Sequence, residues 1–311
     1  LKMKKLFLAI VCVALSVSVS MAQKKQPKID FVNATELTML HKSNETTNPY
    51  HRVEVESIPE LTKSESRLLR QTSGLAIAFK TNASAIYVKA TYGTQNSWGP
   101  NTPLAASNGF NLFIKDQEGE FIWAASKAHR MTPIPGNLPK MSRPLPMIAN
   151  LYKGEKECII YLPLSSELTN LEIGVNKGAK IEALPNPFRH TIAVFGSSFT
   201  HGANASGAGL TWPAFFSRST GLHVCSFGEV FGKSKADALI CDAFSNPTIA
   251  QIGSRIRPFI EAVRKNNPKM PIIFLNTIYR ENRNFQPRYE KKEQDRMEYV
   301  DNLMKEICAE Y

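Results

Sequence analysis

The 311-residue sequence predicts an α/β protein in two successive parts, an antiparallel β-sandwich followed by a parallel sheet covered by helices on both faces. Three observations carry this. Period-two alternation dominates residues 50–184: Leu75, Ile77 and Phe79, then Ile86, Val88 and Ala90, stand either side of a turn at Asn82-Ala83-Ser84. Beyond Pro185-Asn186-Pro187 the pattern changes to short, fully apolar runs at 191–195, 222–227, 238–241 and 272–275. Between the last two, Ile249, Ile252, Ile256, Phe259 and Val263 recur at helical spacing until Lys265-Asn266-Asn267-Pro268 stops them. Alternation marks half-buried antiparallel strands, whereas apolar runs separated by helices mark strands buried on both faces.

Taken in order, the chain opens with an address. Lys2, Lys4 and Lys5 precede an apolar stretch over 6–19 and the small-residue approach Ser20-Met21-Ala22, the layout of a secretory signal peptide cleaved near Ala22. The expected location is therefore secreted or periplasmic, with no stable membrane anchor. The sandwich is expected over 23–187. Within it, residues 112–115 and 120–123 flank Asp116-Gln117-Glu118-Gly119 as a hairpin, and 158–162, 171–175 and 179–184 are further strands. Five prolines over 132–146 predict an ordered loop rather than a strand. The second domain is expected over 188–311. At 43% hydrophobic and 21% charged residues the chain can bury a sizeable core, which excludes disorder. The net charge of +11 is spread without a basic block, so no nucleic-acid partner is expected. Cys158, Cys225, Cys241 and Cys308 lack metal-ligand spacing. No metal, no organic cofactor and no essential disulfide are expected.

Ligands of parallel sheets bind at the carboxyl ends of the strands, where Ser198, Gly228 and Asn246 fall. A phosphate loop at Gly228 to Ser234 is excluded, because three residues rather than four separate Gly228 from Gly232-Lys233-Ser234 and the backbone cradle would not close. A lipase-type nucleophile elbow at Gly196-Ser197-Ser198-Phe199-Thr200 fails as well, because Thr200 replaces its second glycine.

Gly196-Ser197-Ser198-Phe199-Thr200-His201-Gly202 instead resembles the first block of the SGNH (GDSL-like) hydrolases, G-[DST]-S-[IL]-[TS]-x-G. Ser226-Phe227-Gly228 with Gly232 looks like their second block, and Cys241-Asp242-Ala243-Phe244-Ser245-Asn246-Pro247 like their third. Gly109-Phe110-Asn111-Leu112-Phe113 is similar to the G-x-D-L-Y signature of the β-sandwich that precedes one secreted branch. The resemblance implies a flavodoxin-like three-layer α/β/α hydrolase domain. It also implies Ser198 as nucleophile, and the Ser198 N–H, the Gly232 N–H and the Asn246 carboxamide as oxyanion donors. The implied substrate is a small-molecule ester or an acylated saccharide. Without the resemblance, Ser198 reads as an ordinary helix N-cap.

The family's last block, D-x-x-H, does not occur in the sequence. After Ser198 only His201 and His223 remain, and neither has an aspartate placed to orient it, so both read as structural. Met297, Val300, Leu303, Met304 and Ile307 carry an amphipathic stripe almost to Tyr311, which predicts a chain cut before that block. Only ten positions, 228–237, are available for a crossover that needs a dozen, which points to a deletion. Trp98 and Trp212 read as core, and 288–296 as a solvated helix face. The expected function is a secreted serine ester hydrolase acting on acylated glycans. The rival is a catalytically dead, esterase-shaped protein that binds glycans or serves as a surface protein.

Overall fold

A computed structural model describes residues 27–96, 99–129, 142–226 and 236–311. The first half holds two antiparallel sheets. One has the order β1 (Ile29–Asn33), β9 (Ser166–Asn176), β4 (Ile86–Gln95), β7 (Leu145–Ile148). The other runs β10 (Ile181–Ala183), β3 (Ala76–Thr81), β8 (Lys156–Tyr161), β5 (Gly109–Lys115), β6 (Phe121–Ala128), and β2 (Thr38–Leu40) shares the outer edge of β3 with β10. Between the sheets, Ile77, Phe79, Leu112 and Ile160 meet Ile86, Val88, Leu171 and Ile173, all fully buried. The short helix α2 (Leu104–Ser107) leads into β5, and the hairpin of β5 and β6 turns at Asp116 to Gly119 as expected. Glycine is needed there because residue 119 has φ +89°.

The alternation in β3 and β8 is not apolar against polar. Ala76, Ala78, Ile159 and Tyr161, on the reverse face, are buried against Phe188, Ala208 and Ala214 of the second half. The six-stranded sheet is therefore covered on both sides. One expectation is corrected here: part of the proline-rich stretch is a strand. Pro146 sits in β7, an edge strand whose pairing with β4 shifts register between Ile86 and Tyr87, where a missing N–H costs no ladder bond. The rest of that stretch up to residue 141 lies outside the described residues, as does Trp98.

The second half carries four parallel strands in the order β12 (Leu222–Ser226), β11 (Arg189–Gly196), β13 (Ala238–Asp242), β14 (Ile272–Phe274). On one face Val194, Val224 and Ile240 pack against Trp212 and Phe216 of α4 (Trp212–Thr220), so Trp212 packs on the core while remaining half-buried. On the other face Ala193, Cys225 and Leu239 meet Val263 of α5 (Ile249–Asn266). They also meet Val53, Val55 and Leu69, which arrive from the first half. That excursion between β2 and β3 includes the short helix α1 (Lys63–Leu69), which begins with a capping box between Thr62 and Glu65. It supplies a layer of the second domain from the first. The crossover at 227–235 lies outside the described residues. The last helix, α6 (Pro287–Glu310), packs Val300 and Ile307 on Ile252, Ile256 and Ile260 of α5.

The expected solvated face over 288–296 holds for Arg288, Lys291, Lys292, Gln294 and Asp295, which are exposed, but not for two residues on the inner side of the helix. Glu293 and Arg296 are 1% and 6% exposed and lie 3.4 Å apart, because the helix turns this stretch toward the loop after β13. Cys158, Cys225, Cys241 and Cys308 are free thiols. Among the described residues no helix is long and apolar enough to cross a membrane.

Candidate active site

The site grows from the end of β11. Gly196 ends the strand where a Cβ would overlap Thr200 Oγ1 and stand 3.1 Å from Asp242 Cβ, so only glycine lets the next turn fold back this closely. Ser197, not Ser198, is the cap of the four-residue helix α3 (Ser198–His201): its Oγ accepts the Phe199 N–H at 3.2 Å. The same hydroxyl donates to Asp242 Oδ2 at 2.7 Å. Capping is thus done by the neighbour. Ser198 is exposed, and neither its hydroxyl nor its N–H bonds to any described residue. Its carbonyl accepts from Gly202 at 3.0 Å and Ala203 at 2.8 Å, and Gly202 closes the turn at φ +102°.

Asp242, buried at the end of β13, organises this corner. Its Oδ2 also accepts from the Ser197 N–H at 3.3 Å and Thr200 Oγ1 at 3.0 Å, and its Oδ1 from Ser245 Oγ at 3.0 Å. Thr200 in turn accepts from Trp212 Nε1 at 3.2 Å. Ser245 belongs to the turn that carries Asn246. Arg296 donates to the Ser245 carbonyl at 3.0 Å, and Arg280 donates to the same carbonyl at 3.2 Å and to Asn246 Oδ1 at 3.4 Å. Holding Oδ1 this way leaves the Asn246 NH₂ group without a partner among the described residues.

A cleft of about 290 Å³ opens over Ser198. Its inner wall is Gly196, Ser197 and Ser198; its outer wall comes from the first half, with Arg52, Leu61, Glu65 and Leu68. Asn246 does not line this cleft. It stands on the adjacent strand end, tied to Ser197 through Asp242 and Ser245. Gly232 and the stretch around it lie outside the described residues.

Both downstream histidines are engaged elsewhere. His201 is half-buried, its Nε2 donating to the Leu164 carbonyl at 2.7 Å, and desolvation together with Arg52 holds its pKa down to about 3. His223 opens β12 at the opposite end of the sheet, where its Nε2 accepts the His41 N–H at 2.8 Å. Burial lowers its pKa too. Among the described residues no group of three or more His, Cys, Asp or Glu could hold a metal ion.

Sequence reasoning missed Asp242, Thr200, Arg280, Arg296 and Arg52. The first two lie inside motifs already singled out. The arginines come from remote segments and had no local signal. Asn111 of the G-x-D-L-Y-like segment acquires a role: its Oδ1 accepts the Gly209 N–H at 2.9 Å, joining the sandwich to the loop that follows α3.

Residues 29–181 match the model of the N-terminal domain of SGNH-hydrolase-type esterases, and residues 189–311 match the GDSL-like lipase/acylhydrolase family. A GDSL-like lipase from Bacteroides ovatus is similar at 31% identity and a TM-score of 0.80, over 91% of this chain and 84% of that one. The fold is also similar to a salicylyl-acyltransferase from a tetracycline biosynthetic pathway (17% identity, TM-score 0.62, 89% and 82% of the two chains). A family two carbohydrate esterase from Cellvibrio japonicus follows at 10% identity and 0.54, over 90% and 85%. No curated protein matches. With both halves matched and a solved structure at this identity and coverage, the chain belongs to the SGNH, or GDSL-like lipase/acylhydrolase, family.

Proposed function

We propose that the protein is a serine ester hydrolase that removes acyl groups from saccharides outside the cytoplasm. The observation that carries the reading is the division of labour between two adjacent serines. Ser197 spends its hydroxyl on the cap and on Asp242, which leaves the Ser198 hydroxyl and N–H unengaged over an open cleft. In this reading the Ser198 Oγ attacks the ester carbonyl, the alkoxide leaves with a proton, and water releases the acid from the acyl-serine. The tetrahedral oxyanion is held by the Ser198 N–H, the Gly232 N–H and the Asn246 NH₂, donors worth about 10²–10³ each in turnover. A glycan substrate is supported by the fold shared with a carbohydrate esterase, and export by the leader-like residues 1–22.

The general base is assigned to neither His201 nor His223, since each has a ring nitrogen committed to a backbone partner. That observation favours a second reading, a glycan-binding protein with the shape of an esterase. A serine-directed fluorophosphonate separates the two. Modification at Ser198, read by peptide mass spectrometry and abolished in Ser198→Ala, is the expected result. Saccharide binding by calorimetry without modification or ester turnover would favour the binding protein.

A further inference from the structure

Arg52 is 7% exposed and lines the cleft over Ser198, yet it pairs with no carboxylate among the described residues. Two of its N–H groups are spent on main chain at the end of α1: Nε donates to the Gln71 carbonyl at 3.0 Å and Nη2 to that of Leu68 at 2.5 Å. These bonds fix the guanidinium as a cap on the helix's last carbonyls. They do not neutralise it, and Nη1 is left without a partner among the described residues. A buried cation without a counter-ion is expensive, and its cost shows as a pKa pulled down to about 10 by burial. The neighbouring His201 supplies no counter-charge, and Arg52 helps to keep it neutral.

The other ionisable group on this wall is Glu65. Its carboxylate accepts from the Thr62 N–H at 2.7 Å and from Thr62 Oγ1 at 2.5 Å, so the capping box holds it. The same lining includes the apolar side chains of Leu61, Leu68 and Leu69. One cleft therefore combines a fixed positive charge, apolar side chains and an unengaged serine.

Resting on the ester-hydrolase reading, we infer that Arg52 is a specificity determinant that receives a carboxylate carried by the substrate. A guanidinium matches a planar carboxylate edge to edge, and burial strengthens the pair. A single carboxylate fits better than a dianion, whose second charge would share the cleft with Glu65. The carboxylate could belong to the acyl part, as in a dicarboxylic hemi-ester, or to the sugar, as in a uronate.

Calorimetry on the intact protein tests this with two pairs of probes: monomethyl adipate against methyl hexanoate, and acetylated methyl glucuronoside against acetylated methyl glucoside. Expected is about tenfold tighter binding of the anionic member of one pair, weakened by salt. Which pair responds tells the two sources apart. Arg52→Met should erase the preference and Arg52→Lys should keep part of it. Equal affinities within both pairs for the wild-type protein would overturn the inference even if Arg52→Met fails to fold, as would a folded Arg52→Met that keeps the preference. Fluorophosphonate modification of Ser198 is read separately. Modification without charge preference removes only the Arg52 site, whereas charge preference without modification leaves that site standing and removes the hydrolase.

Discussion

Ser197 Oγ donates to Asp242 Oδ2 at 2.7 Å, and this bond joins two neighbouring strand ends of the parallel sheet. Through the other oxygen of Asp242, the same carboxylate holds the turn that carries Asn246. The position of Ser198 and that of Asn246 are therefore set by one side chain. Asp242→Asn offers an NH₂ group where a hydroxyl needs an acceptor. It should cost about 2 kcal/mol, the scale of hydrogen bonds to charged groups, and slow fluorophosphonate modification of Ser198. Urea unfolding and the modification rate check both. An unaltered rate in a folded variant would show that Asp242 does not position the serine.

Gly196→Ala should be worse than its size implies. The added methyl meets Thr200 and the backbone of α3 cannot retreat without breaking the Thr200 bond to Asp242, so a loss of about 1–3 kcal/mol is expected. Thr200→Ala in the same background should recover part of it, because it vacates the space, and a denaturant series reads that recovery.

Arg296→Met strands Glu293, which is 1% exposed and keeps only Arg280, 4.0 Å away. Breaking a buried pair from one side costs about 3–5 kcal/mol. The double variant Glu293→Met/Arg296→Met should lose less than Arg296→Met alone. A double variant that is worse than either single change would show that the pair stabilises the fold by its charge.

Acid should unfold the protein early. His41 is buried and His201 half-buried, and both are held neutral, first by desolvation, then by His223 and Arg218 for His41 and by Arg52 for His201. The unfolded chain takes up these protons below about pH 6.5 and the folded one does not, so stability present above that pH is lost as pH falls, for His201 down to about 3. Between pH 6.5 and 5 His201 contributes a loss of about 2 kcal/mol, and His41 adds a loss of the same sign. Denaturant midpoints at the two pH values test this, and His201→Gln should flatten the slope by about one proton.

Strand positions and the corner at 196–202 were legible because each depends on residues close in sequence: apolar runs for β11 to β13, and Gly, Ser and Gly for the turn. What was not legible depends on distant chain. The second buried face of β3 could not be seen, since Ala76 and Ala78 look like small outward residues until Phe188 and Ala214 cover them. Glu293 and Arg296 read as solvated charge because their partners, Ser245 and Arg280, lie in other segments. Pro146 argued against a strand, and the argument failed because β7 is an edge.

Val53, Val55 and Leu69, folded over Ala193, Cys225 and Leu239, make the boundary at 184–188 a poor place to divide the molecule. Released from residues 27–183, the later half would expose the part of its central sheet that α5 leaves uncovered, and would lose the outer wall of its cleft. A protease that nicks the Pro185-Asn186-Pro187 link should yield two fragments that co-migrate until denaturant parts them. Shuffling such halves between relatives would succeed only when the excursion travels with the sheet it covers, because the two halves form one cooperative unit rather than interchangeable modules.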